Sequence, residues 1–171
     1  MQYYMMNQDK DYTDNIEIVN WFKKIDVEKL EPGKYSSLDE FYTFEIKGNE
    51  VVDMIFSPFF AVSKMVYYCI KTYEPNMMFT PIAVWNKEKA ETYEYFIPHL
   101  EREEILSDSS IIKNYNTYIE RAVKKREHRA NNYIFLLDNF KKRQIIIKKE
   151  LAESILKRGA RGIEFIPIEE E

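Results

Sequence analysis

Two tetrapeptides constrain this chain more than any other feature: Phe79-Thr80-Pro81-Ile82 and Phe165-Ile166-Pro167-Ile168. Each closes a longer stretch, Phe59 to Ile82 and Ile145 to Ile168, with a common order: an apolar run, a helix of about ten residues, a turn and a strand. Ser63 lies 16 positions before Phe79, and Lys148 lies 17 before Phe165. Two strand–helix–strand units follow, either related to each other or alike by chance. Their helices need a sheet to pack on, and the two units are expected to pair in one mixed sheet. The predicted class is α+β: a mixed, largely antiparallel sheet with hairpins, two strand–helix–strand units, and helices packed on the sheet.

The remaining segments fill in that plan. Gln2 to Met6 suits a strand. Asn15 to Ile25 is ambiguous: Ile16, Val19, Phe22 and Ile25 recur at three-residue steps, and one reading is a short helix capped by Asp14. Glu31 to Asp39, with Pro32, Gly33 and two serines, reads as a loop. Phe41–Ile46 and Val51–Phe56 flank Lys47-Gly48-Asn49-Glu50, which predicts a hairpin. The Ser63 hydroxyl is expected to cap a helix with the stripe Met65, Val66, Cys69, Ile70 and Tyr73, ended by Pro75 and Asn76. Phe79–Trp85 and Glu91–Pro98 form a second hairpin about the turn Asn86–Ala90. Asp108 to Arg129 is predicted as the longest helix. Ile111, Ile112, Tyr115, Tyr118, Ile119, Ala122 and Val123 share one face, and basic last turns suit the negative dipole end. Strands at Tyr133–Leu137 and Gln144–Lys148 come next. A helix at Lys149–Arg158 with Gly159 as its C′ residue, and a strand at Ile163–Ile168, complete the fold. The tail Glu169–Glu171 is expected to be solvated.

With 171 residues, 45% hydrophobic and 15% aromatic, the chain suits one packed domain over 1–171, in which 1–56 forms an N-terminal part and 57–171 the main part. The one cysteine, Cys69, is expected to be a buried, inert thiol in a reducing cytoplasm. Residues 1–14 lack the apolar run of a signal peptide, and no stretch nears the ~20 apolar residues that span a bilayer. Charge is unevenly placed. Residues 1–56 hold six lysines against twelve acids, a balance of −6, whereas residues 121–149 hold ten Lys and Arg against two acids, a balance of +8. Two faces of opposite sign are expected, and such fields select and steer partners.

No residue pattern points to catalysis. His99 follows a strand and His128 lies among charges. The chain contains no His-x₃-His, Cys-x₂-Cys or Glu-x₂-His spacing, so no metal site is expected. Gly33, Gly48, Gly159 and Gly162 build no phosphate loop, and Ser57, Ser63 and Ser109 read as caps. The expectation is a binding protein that is not an enzyme and carries no cofactor. Two candidate surfaces stand out. Glu101, Glu103, Glu104 and Asp108 form an acidic candidate patch for a protein partner. Lys124, Lys125, Arg126 and Arg129, interleaved with Tyr115, Tyr118, Tyr133 and Phe140, form the alternative, a nucleic-acid surface. The sequence pI of about 5.4 argues against that alternative.

From Asn132 to Ile168 the chain runs Ile-Phe-Leu, a hairpin, Ile-Ile-Ile, Leu-Ala-x₂-Ile-Leu and Gly-x₂-Gly-Ile-Glu-Phe-Ile-Pro. This resembles the C-terminal portion of a bacterial immunity-protein family, the eleventh numbered one of the polymorphic toxin systems. Gly162, Phe165 and Pro167 match its closing strand. Val52-Asp53 to Ser63-Lys64 is similar to its middle, and Tyr3-Tyr4 to its first strand. The motifs are structural, a glycine turn and core aromatics. Two departures are Lys148, where the family commonly has a serine cap, and 108–129, where it is extended and hairpin-like. The resemblance implies a cytoplasmic antidote, monomer or homodimer, that binds a cognate toxin domain without cofactor or membrane. It also implies that the acidic N-terminal third covers the basic active-site surface of a nuclease toxin.

Overall fold

The computed structural model describes residues 1–12, 16–48 and 51–171. In chain order these form β1 (Tyr3–Gln8), β2 (Glu17–Val19), β3 (Tyr42–Lys47), β4 (Met54–Ile55), β5 (Ala61–Ser63), α1 (Lys64–Tyr73), β6 (Phe79–Asn86) and β7 (Glu91–Pro98). Then follow β8 (Arg102–Glu103), β9 (Ile111–Lys113), β10 (Tyr118–Arg121), β11 (Val123–Lys124), β12 (Ile134–Leu137), β13 (Ile145–Lys148), α2 (Lys149–Lys157), β14 (Ile163–Pro167) and β15 (Glu169–Glu170). One sheet has the order β14-β1-β13-β12-β8 and the other β2-β3-β6-β7-β5-β4, while β9 pairs with β10 and β11 with β15. The protein is α+β, as its residue patterns require.

The two tetrapeptides occupy equivalent places, but in different sheets. This corrects the expectation of one shared sheet. In one half, β5 and β6 flank β7 antiparallel, and Val62 and Pro81 both oppose Phe96. In the other, β13 and β14 flank β1 antiparallel, and Ile147 and Pro167 both oppose Tyr4. The match continues outward: Met54 opposes Val62 as Ile134 opposes Ile147. The parallel neighbour β3 runs beside Ala83 and Val84, just as β11 runs beside Glu169 and Glu170. Thus β3-β4-β5-α1-β6-β7 and β11-β12-β13-α2-β14/β15-β1 follow one plan, with the last strand of the second half supplied by the N-terminus. The equivalent Tyr95 and Tyr3 are both buried. The Tyr95 hydroxyl donates to Val52 O at 2.6 Å, and the Tyr3 hydroxyl accepts from Ala130 N at 2.9 Å.

Both helices form for legible reasons. Ser63 Oγ accepts from Val66 N, capping α1, and Gly159 leaves α2 in the left-handed region at φ 74°. Val66, Cys69 and Ile70 of α1 and Leu151, Ala152 and Ile155 of α2 meet in one core with the facing sides of both sheets. On its opposite side each sheet carries a second core. Residues 16–38 cover Tyr42, Phe44, Ile82 and Tyr95, while residues 105–130 and Phe140 cover Tyr3, Met5, Phe135 and Ile146. Asp53 fastens the halves together. Its carboxylate accepts from Ser63 Oγ and from Arg161 N, both at 2.8 Å. Beside it Gly162, at φ 81°, lets Val52 approach so closely that a Cβ there would sit 2.8 Å from Val52 Cγ1.

Several expectations are corrected. Phe41–Ile46 and Val51–Phe56 are not a hairpin. β3 pairs with β2 and β6, and β4 pairs with β5; of the supposed turn, Asn49 and Glu50 lie outside the described residues. The helix over Asn15–Ile25 is instead β2 followed by a 3-10 turn, Trp21–Lys23, entered through Asn20 in the left-handed region; its proposed cap Asp14, with Asn15, also lies outside the described residues. The tail is not merely solvated, because Glu169 and Glu170 add a parallel strand to β11. Ser109 caps no helix; its hydroxyl donates to Glu171.

The largest correction concerns 108–129, which is a β-hairpin and an edge strand in place of a helix. Asn114, Tyr115 and Asn116 all take left-handed φ values, 55°, 54° and 64°. Three such residues cannot lie inside a right-handed helix, and asparagine is among the residues that tolerate this region best. The apolar stripe that suggested a helix divides instead. Ile119 and Ala122 turn inward to cover the β1–β13 face and Val123 is buried beside them, while the rest stays outside.

Candidate functional site

The β9–β10 hairpin concentrates apolar surface that the fold does not use. Ile111 is 42% exposed, Ile112 37%, Tyr118 54% and Tyr115, at the tip, 89%. Clustered exposed apolar side chains of this size mark contact surfaces in folded proteins. The hairpin is also braced. At its foot the Ser110 hydroxyl both donates to Val123 O and accepts from Val123 N, each at 3.0 Å. At its tip Lys141 N donates to Asn116 O at 2.8 Å, and Thr117 Oγ1 donates to Asn114 O at 2.7 Å. Between them Ile119 is anchored against the core. The result is a rigid arm with an aromatic end.

Charge around the arm is largely self-balanced. Lys113 pairs with Glu120 at 2.5 Å and Arg121 with Glu169 at 2.6 Å. The Arg121 hydrogen bond holds Glu169 below the ordinary carboxylate range, and Lys124 does the same for Glu170. Lys141 and Lys142 remain exposed beside the tip, with the Lys141 ammonium 5.7 Å from the Tyr115 ring centre. Beneath the arm a cavity of about 600 Å³ is floored by Met5, Met6, Phe56 and Phe60 and bordered by Lys142.

The residues singled out in the sequence take separate roles. Glu103 is a staple: its carboxylate accepts from Asn131 N at 2.8 Å and from Asn132 N and Nδ2 at 2.9 Å. Glu104 pairs with Lys125 at 3.0 Å, which joins the acidic candidate patch to the basic one. Asp108 is exposed near the foot of the hairpin, and Glu101 is exposed at another cavity. Lys124 is only 3% exposed. Its ammonium reaches Glu170 at 3.0 Å and donates to the carbonyls of Lys125, Arg126 and His128, 5.9 Å from the Tyr3 ring centre. Arg126 and Arg129 are exposed. Sequence reasoning missed the arm because it read Ile111, Ile112, Tyr115 and Tyr118 as core. The Asn-Tyr-Asn triplet was the available signal for a turn.

Titratable groups also meet at a second cavity. A cavity of about 350 Å³ is lined by Tyr35, Glu74, Met78, His99 and Glu101. His99 stacks on Tyr35, with centroids 4.3 Å apart, and its Nε2 lies 2.8 Å from Thr80 Oγ1. Burial lowers the His99 pKa and pushes Tyr35 up to about 12. The Glu74 carboxylate accepts from Tyr133 N and the Tyr35 hydroxyl contacts Leu100 N and O, so these groups act as braces. Among the described residues no three His, Cys, Asp or Glu side chains are grouped to hold a metal, and no helix is long and apolar enough to cross a membrane. Compared with known proteins, the chain matches no family model and no curated relative.

Proposed function

We propose that this chain is an immunity-type protein that binds a cognate bacterial toxin domain in the cytoplasm and neutralises it by protein–protein contact. One observation carries the reading: a braced hairpin brings Ile111, Ile112, Tyr115 and Tyr118 to solvent within one short segment, whereas Phe22, Phe41, Met78 and Trp85 are exposed elsewhere. Exposing such side chains costs solubility and adds nothing to the fold, which is the signature of a surface kept for a partner. The resemblance to the immunity family supports it, since the extended hairpin at 111–121 removes one of the two departures from that family. The nucleic-acid alternative is weakened by its own residues. Of Lys124, Lys125, Arg126 and Arg129, the first is buried and the second is paired with Glu104.

Co-expression tests the reading. A toxin domain encoded beside this gene should arrest growth of a sensitive host alone, and growth should return when this chain is produced with it. Arrest that persists despite abundant folded chain contradicts the proposal.

A further inference from the structure

We propose that the β9–β10 arm docks on an acidic protein surface containing an apolar socket, with Tyr115 entering the socket and Lys141 and Lys142 meeting the carboxylates around it. This rests on the binding-protein reading above and names the chemistry of the partner's face. The Tyr115 side chain is 89% exposed, yet its backbone is fixed by the bonds that tie Asn114 and Asn116 in place. An aromatic held in advance loses little freedom on docking, which makes it an efficient anchor. The charge beside it is one-sided. Lys113 and Arg121 are answered by Glu120 and Glu169, whereas Lys141 and Lys142 are exposed with no ion pair among the described residues. Ammonium groups flanking an aromatic ring are complementary to carboxylates around an apolar hollow, and a basic surface would be repelled. A nucleic acid is met by cations continuing along a track. Here the run is interrupted, because Lys124 is turned into the core and Lys125 is neutralised.

Photo-crosslinking tests this while the partner is still unidentified. The full chain carries p-benzoylphenylalanine at position 115, or at Tyr68 on the exposed side of α1 as a control, in the cells that bear its gene. The expected result is one protein adduct from position 115 and none from 68. Its crosslinked peptide, mapped by mass spectrometry, should hold more Asp and Glu than Lys and Arg. K141E/K142E should lower the yield about tenfold, as charge reversal at a contact does. An adduct with nucleic acid, with a second copy of this chain or with a basic peptide overturns the proposal, as does equal labelling from 68 or no adduct at all. An acidic partner that is not a toxin defeats the immunity reading and leaves the docking arm standing. A neutralised toxin that crosslinks only elsewhere does the reverse.

Discussion

Lys124 shows how far a residue's role depends on its surroundings. It occupies the position of Phe44 in the other half, since both lie on the parallel strand beside the extension of the Phe-x-Pro-Ile tetrapeptide. A charge at a core position is tolerated because Glu170 and three carbonyls satisfy it. Lys124→Ala should therefore cost about 2 kcal/mol or more, from stranded carbonyls and lost packing. Arg121→Ala, at a solvent-exposed pair, should cost far less, because water screens that pair. Urea denaturation of both variants checks this, and equal losses would refute the buried-cage account. His99 makes a second prediction. Its pKa is lowered by burial from the ordinary 6.5, so the unfolded chain takes up that proton first. Stability from the neutral ring is full above 6.5 and is lost as pH falls below it toward the folded value. Melting temperature should drop through that window, and His99→Gln should flatten the drop; an unchanged slope would exclude His99 as its source. Glu169 and Glu170, also lowered, act only further down, below 4.5. At this scale Ser63 was legible, because a hydroxyl before an apolar stripe has one common use, whereas Lys124 looked like any other surface cation.

Among the elements, both helices and the β6–β7 hairpin could be read from periodicity, whereas β1, β12, β13 and β14 were legible as short apolar runs, β12 and β13 being buried throughout. The β9–β10 hairpin could not. Its apolar residues satisfy a helical period because three of them lie inward and four do not, and a pattern carries no sign of which is which. What decides is the turn, where Asn114, Tyr115 and Asn116 adopt a conformation closed to a helix. The β3–β4 hairpin failed for another reason: strand partners over long separations leave no local trace. The arm's division of labour is measurable. Tyr115→Ala should leave stability within about 0.5 kcal/mol, as expected of an exposed side chain. Ile119→Ala should cost about 1–2 kcal/mol from lost apolar burial. Comparable losses in urea melts would mean that the arm serves the fold instead of a partner.

Viewed whole, the molecule is one β–α–β plan used twice, with two helices between two sheets and a separate cover over each outer face. The repeated tetrapeptide was visible in the sequence, but its separate sheets were not, because the second half borrows β1 from the opposite end of the chain. That borrowing predicts a tolerated permutation. Residues 1–12, moved behind Glu171 on a linker like the seven-residue interval Asn86–Thr92 of the first half, should still place Tyr3 opposite Lys148. The permutant should melt cooperatively; a molten chain would contradict the equivalence of β1 and β7. Features shared by the halves build the scaffold, and the arm belongs to one half only. The most direct test of the proposed function is calorimetric titration of this chain into any toxin domain found encoded beside its gene. It should give a one-to-one complex, with affinity lost in Tyr115→Ala and toxin activity abolished at equivalence. No heat of binding, with the toxin fully active in the presence of excess folded chain, would contradict it.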